Sequence, residues 1–165
     1  MRKILAVAIL VVSMLAVGCS NTQDLGMSFE EFKEKYNENV RREGLPSEYL
    51  IRSENIEFSN NLDEFGDVKG YCYFINFPNA IDIRDIFVTL DVDHLINCVC
   101  INVEPDCDYL RLYSLSARCF DDSWKDMSYR TTQEKKLLYG DGYTKGNYRF
   151  VSLYLFNSFL IKRIN

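Results

Sequence analysis

The sequence holds one histidine, His94, one tryptophan, Trp124, and three prolines. A Ser-His-Asp triad would depend wholly on His94, which sits in a predicted turn, and no G-x-S-x-G elbow accompanies it. Neither G-x-x-x-x-G-K nor G-x-G-x-x-G occurs, so the chain carries no nucleotide-binding motif. The absence of C-x-x-C argues against a thioredoxin-type redox centre. Basic residues are outnumbered 24 to 19, a poor match for nucleic acid or anionic lipid headgroups. The acidic stretch containing Asp63, Glu64 and Asp67 lacks the spaced carboxylates, central glycine and final glutamate of a calcium loop, and reads as solvated.

What is present starts at the amino terminus. Arg2 and Lys3 precede an apolar run from Ile4 to Val17, broken only by Ser13. A basic end followed by a short apolar helix is the layout of a secretory signal. Such a run reaches roughly 21 Å as a helix, short of a ~30 Å hydrocarbon core, so a permanent span is not expected. The run closes with Leu15-Ala16-Val17-Gly18-Cys19, which resembles the lipobox of bacterial lipoproteins, with Ala16 where leucine is commoner. The resemblance implies cleavage before Cys19, a diacylglycerol on its thiol, and acylation (palmitate, for example) of the new amino terminus. Several acyl chains anchor stably, at roughly 0.8 kcal/mol per buried CH₂. Ser20 resembles the outer-membrane sorting choice of two-membrane bacteria. In a one-membrane cell the same protein would face outward on the plasma membrane. The resemblance implies a location and names no activity.

The chain therefore divides into a signal peptide over 1–18, a lipidated terminus and tether over 19–27, and one globular domain over 28–165. Signal removal leaves seventeen basic against 24 acidic residues, a net charge of about −7. Eleven Phe and eleven Tyr argue against disorder. The polar stretch Ser20–Gly26 spans about 25 Å at most, which would hold the domain close to its membrane.

The patterning predicts an α+β domain: an N-terminal helix on a mainly antiparallel sheet of about six strands, with two shorter helices before a C-terminal β-hairpin. Ser28-Phe29-Glu30-Glu31 is a capping box, flanked by Met27 and Phe32 at hydrophobic-staple spacing. Phe29, Phe32, Tyr36 and Val40 form one stripe; Glu31/Lys35 and Glu38/Arg42 stand at i,i+4; Gly44 and Pro46 end the helix. Strands are expected over Tyr49–Phe58 and Lys69–Phe77. A hairpin pairing Ile83–Leu90 with Leu95–Val103 should turn at Asp91-Val92-Asp93-His94. Asp108–Cys119 reads as helix and Asp121–Arg130 as irregular, with Trp124 and Met127 covering a core edge. Thr131-Thr132-Gln133-Glu134 reads as a second capping box, opening a helix through Leu138. Tyr148–Phe156 and Phe159–Ile164 are apolar on both faces, as expected of central or helix-covered strands.

Beyond Cys19 five cysteines remain: Cys72, Cys98, Cys100, Cys107 and Cys119. An odd number leaves at least one unpaired in a monomer. In an oxidising compartment one bridge is expected, with Cys72 joined to Cys98 or Cys100. Buried free thiols acting as small apolar groups are the alternative. His94, Cys98 and Cys100 share strand parity, with Cys107 beyond, and zinc favours such ligands. However, about 13 Å separates His94 from Cys98 on an extended strand, so no metal site is expected. Asp106 and Asp108, or Asp121, Asp122 and Asp126, could supply paired carboxylates for glycoside chemistry with Trp124 stacking on a sugar. Solvated acidic loops explain the same residues. The expectation is a non-enzymatic envelope lipoprotein without cofactor, held on a membrane by its lipid, that binds or scaffolds an envelope or extracellular protein and no nucleic acid. The alternatives are a small hydrolase using carboxylates near Trp124, or a thiol or metal protein centred on Cys98 and Cys100.

Overall fold

The computed structural model describes residues 26–59, 71–105, 107–139, 142–153 and 157–164. The signal segment, Cys19 and nearly all of the tether lie outside these residues, as does the acidic loop from Asn60 onward.

Helix α1 spans Phe29–Arg42. The Ser28 hydroxyl accepts the Glu31 N–H at 3.2 Å, supplying an orphan donor of the first turn with a partner. Phe29, Phe32, Tyr36 and Val40 are buried along one face. Glu31–Lys35 and Glu38–Arg42 pair across the exposed side, and Gly44, at φ 64°, turns the chain out of the helix.

Among the described residues seven strands form one sheet: β1 (Ile56–Ser59), β2 (Tyr71–Asn76), β3 (Ile83–Leu90), β4 (Ile96–Val103), β5 (Tyr143–Lys145), β6 (Tyr148–Leu153) and β7 (Ser158–Arg163). Their order is β1-β2-β3-β4-β7-β6-β5, and every neighbouring pair is antiparallel. Between β4 and β5 run α2 (Tyr109–Phe120) and α3 (Met127–Tyr139), joined through a 3₁₀ turn at Asp122–Lys125. The protein is thus α+β, as the patterning predicts. The hairpin of β3 and β4 falls at the expected place. The apolar terminal strands are interior, β7 between β4 and β6 and β6 between β7 and β5.

The three α-helices of the described residues cover one face. Phe29 of α1 stacks on Tyr73, Tyr113 of α2 packs on Phe159, and Phe120 packs on Tyr148. The register places Ile75, Ile86, Ile101, Phe159 and Phe150 on that same face, and all are buried. Burial of each such side chain contributes roughly 1.5–3 kcal/mol.

Four local expectations are corrected. The segment predicted as a strand from Tyr49 is instead two 3₁₀ turns, Ser47–Tyr49 and Ser53–Asn55, and only Ile56–Ser59 joins the sheet. Tyr49 and Ile51 alternate because both are buried beside α1, where the Asn37 side chain takes the part of a neighbouring strand. Helix α3 begins at Met127, four residues before the second capping box. Asp126 caps it by accepting the Tyr129 N–H at 2.8 Å, while the Thr131 and Thr132 hydroxyls donate back to the Met127 and Ser128 carbonyls. Trp124 is buried as expected, but Met127 is 70% exposed. Strand β5 is an unforeseen seventh strand, joined to β6 by a tight turn in which Gly146 has φ 54°.

Candidate functional site

Three helix ends converge on one carboxylate. Glu43 is the C-cap of α1, where the negative end of the helix dipole disfavours an acid. Two arginines offset this. Arg118, in the last turn of α2, pairs with Glu43 Oε1, and Arg130, in the first turn of α3, donates to the same oxygen at 3.0 Å. Each also donates through Nε to the Trp124 carbonyl. The two guanidinium groups therefore grip the same pair of acceptors, each through its Nε and Nη2. Arg111, near the start of α2, donates from Nη2 to the Glu43 main-chain oxygen at 2.9 Å. The Arg118 side chain is only 2% exposed, whereas Arg130 retains 17%.

A cavity of about 350 Å³ opens beside this cluster, lined by Glu43, Arg111, Arg130, Trp124, Met127 and Thr131, with Leu110 and Asp108 at its wall. Asp108 is itself engaged, capping α2 by accepting the Arg111 N–H at 3.2 Å. Arg118 lies behind the wall, and the lining itself sets Arg111 and Arg130 against Glu43 and Asp108.

The acids expected near Trp124 are brought close in sequence but not into one open site. Asp121 is buried, accepting the Tyr129 hydroxyl at 2.7 Å and the Ser123 N–H at 3.0 Å. Asp122 is exposed and pairs with Lys125, which holds its carboxyl below the usual range. Asp126 caps α3. Asp106 lies outside the described residues. The Trp124 indole is locked inside, with Tyr113 edge-on at 5.2 Å and its N–H donated to the Tyr143 hydroxyl, and its ring is not open to stack on a sugar. Burial, then the Asp121 hydrogen bond, pushes the Tyr129 phenol up to about 12.

The cysteines lie elsewhere. Cys72, Cys98 and Cys100 occupy the sheet face opposite the helices. Cys72 and Cys98 both stand opposite Thr89, on either side of β3. Two strand spacings put them about 10 Å apart, beyond the ~7 Å reach of a disulfide. The expected bridge is not formed, and all five cysteines among the described residues are free thiols. Burial, then the neighbouring Cys100, pushes the Cys98 thiol up to about 12, which disfavours the nucleophilic thiolate. Cys119 on α2 is buried and its thiol contacts the Leu115 carbonyl. His94, at φ 60°, stacks on Tyr71, whose register puts it on the helix-covered face, away from Cys98 and Cys100. Among the described residues no three such ligands gather at metal-holding distance.

The same open face carries one apolar row, Phe74, Phe87, Cys100, Leu160 and Val151, across five strands. Phe74 and Phe87 meet edge to face at 5.2 Å.

Sequence reading singled out Trp124 but missed Glu43, Arg111, Arg118 and Arg130. One signal was available: Arg118 is the lone charge in the otherwise buried run Leu112–Cys119. A charge in that setting needs a partner from elsewhere in the fold.

No protein-family model, curated protein or solved structure matches this chain.

Proposed function

We propose that this chain is an exported lipoprotein whose domain is displayed on a membrane through acylated Cys19 and works as a non-enzymatic binding or scaffolding module. The observation that carries the reading is the charged, apolar and small-residue run that ends at Cys19. The short sequence separation of Cys19 and Met27, eight positions, is compatible with it. The Met27 carbonyl already accepts the Ile96 N–H at 2.7 Å, so the domain begins within a few residues of its anchor. That join lies at the end of the sheet where β4 starts and β7 finishes. In a two-membrane cell the membrane is the outer one; otherwise it is the outer face of the plasma membrane. The partner is an envelope or extracellular component, and the acidic chain is a poor match for nucleic acid. The engagement of Asp121, Asp122 and Asp126 in caps and ion pairs favours binding over hydrolysis at Trp124.

Cells expressing the tagged full chain are fed an alkyne-bearing palmitate. Label should enter the wild type and be lost in Cys19→Ala, together with membrane retention. An unlabelled wild-type protein would overturn the anchor.

A further inference from the structure

We propose that the open face of the sheet is the interface of a two-fold symmetric homodimer, so that the partner of this binding module is a second copy of the chain. The inference rests on the domain being a binding module and is independent of its anchor. The described α-helices all lie on the other face. The open one carries the row Phe74, Phe87, Cys100, Leu160 and Val151, with Phe74 39% exposed and the other four half-buried. Cys100, on the central strand β4, is the middle of that row. Bulk is divided unevenly about it: both phenylalanines lie on one side, on β2 and β3, and the two aliphatic residues on the other, on β7 and β6. Charge is divided the same way. Exposed Glu57 on β1 extends the phenylalanine end, and exposed Lys162 and Arg149 flank the aliphatic end.

A surface polarised in this way is complementary to itself, as a two-fold interface requires. An axis in the plane of the interface, passing over Cys100 and running near the strand direction, lays β3 on β7 of the second copy and β2 on its β6. Phe87 then rests on Leu160 of the second copy and Phe74 on its Val151, while Glu57 reaches the flank that holds its Arg149. Two sheets stacked with their strands within about 30° of each other have the ordinary geometry of a sandwich. The size is sufficient: seven strands ~4.8 Å apart and about 20 Å long offer roughly 600 Å² a copy, and about 1,200 Å² in all enters the range of stable interfaces. Because the axis follows the strands, the end where Met27 joins β4 lies on the same side of the dimer in both copies, and two Cys19 anchors can enter one membrane.

The test uses the full chain in neutral detergent micelles. Sedimentation equilibrium, in a solvent whose density matches the detergent, should report twice the mass of the chain at micromolar concentration. Leu160→Lys sets a charge near the centre of the interface and should raise the dimer dissociation constant about a hundredfold or more, with the circular dichroism spectrum unchanged. Glu57→Arg and Arg149→Glu should each weaken the dimer about tenfold, and the two together should restore it, a result that misfolding does not give. A monomeric mass for the wild type would hand the face to a different partner and overturn the dimer. An unaltered constant in Leu160→Lys, or a double charge swap no tighter than its single variants, would overturn it as well. A monomer leaves the Cys19 anchor standing, and an unlabelled Cys19 leaves the two-chain mass to be found.

Discussion

Asn37 holds Ile51 by both of its backbone polar groups. The Asn37 amide donates to the Ile51 carbonyl at 2.9 Å, and its oxygen accepts the Ile51 N–H at 2.7 Å. One side chain thereby replaces a strand partner for a buried residue. Asn37→Leu would leave both groups unpaired next to the core. It should lower unfolding free energy by about 2 kcal/mol, read as a lower urea midpoint with unchanged slope. A shift under ~0.5 kcal/mol would show that water serves the Ile51 backbone equally well.

Removing Glu43 should harm stability more than removing any surface acid. Glu43→Gln strands Arg118 and Arg130 together, with Arg118 almost wholly out of water. A loss of about 3 kcal/mol is expected, against no more than ~0.5 for Glu30→Gln, whose pair with Lys33 is exposed. Thermal melts of the two variants side by side decide the point; equal midpoints would mean that the arginines reach solvent.

The start of α3 gives an opposite sign. If Thr131 were a helix cap, Thr131→Ala would cost about 1 kcal/mol. Inside α3, where its hydroxyl merely donates back to Met127, the same change should be neutral or stabilising by about 0.5 kcal/mol. Asp126→Ala, which removes the actual cap, should destabilise by about 1 kcal/mol.

Alkali should unfold the domain early. Burial raises the Cys98 thiol from an ordinary 9.0 to about 12, and the Tyr49 and Tyr129 phenols from 10.0 to about 12. Burial also raises Cys119, Tyr36, Tyr113 and Tyr143. A group whose folded pKa lies above its unfolded one keeps its proton longer in the native state. Its contribution is therefore intact below the unfolded pKa and is lost as pH climbs toward the folded pKa. The guanidinium chloride midpoint should be insensitive to these groups at pH 7–8.5, and should fall from about pH 9 upward. A midpoint unchanged at pH 11 would refute the burial of these groups.

Elements whose stabilising interactions are local were legible. Helix α1 announces itself through Ser28, the Phe29–Val40 stripe and two i,i+4 pairs, all within one stretch of sequence. The hairpin of β3 and β4 follows from two apolar runs around Asp91–His94. The Tyr49–Asn55 segment misled because burial against a helix produces the same alternation as burial in a sheet, and the difference lies in Asn37. Strand β5 spans only three residues, too few to show a period, although Gly146-Asn147 before Tyr148 is a hairpin signal. The carboxylate–arginine cluster was hidden for another reason. Glu43 and Arg130 are 87 positions apart and meet only because α1, α2 and α3 pack. The missing disulfide has a similar origin: cysteine spacing cannot reveal that β3 separates Cys72 from Cys98.

The strand order has a consequence for how the chain is made. As residues emerge from the amino end, β1 to β4 can pair in sequence, each with the strand just before it. β4 then presents a bare edge, and its second neighbour, β7, is the last strand in the chain; Asn102 waits 56 positions for Ser158. For that interval the growing sheet exposes unpaired backbone flanked by apolar side chains, the arrangement most prone to recruit a strand from another molecule. A stop codon before Ser158 should therefore give aggregates rather than a smaller soluble domain.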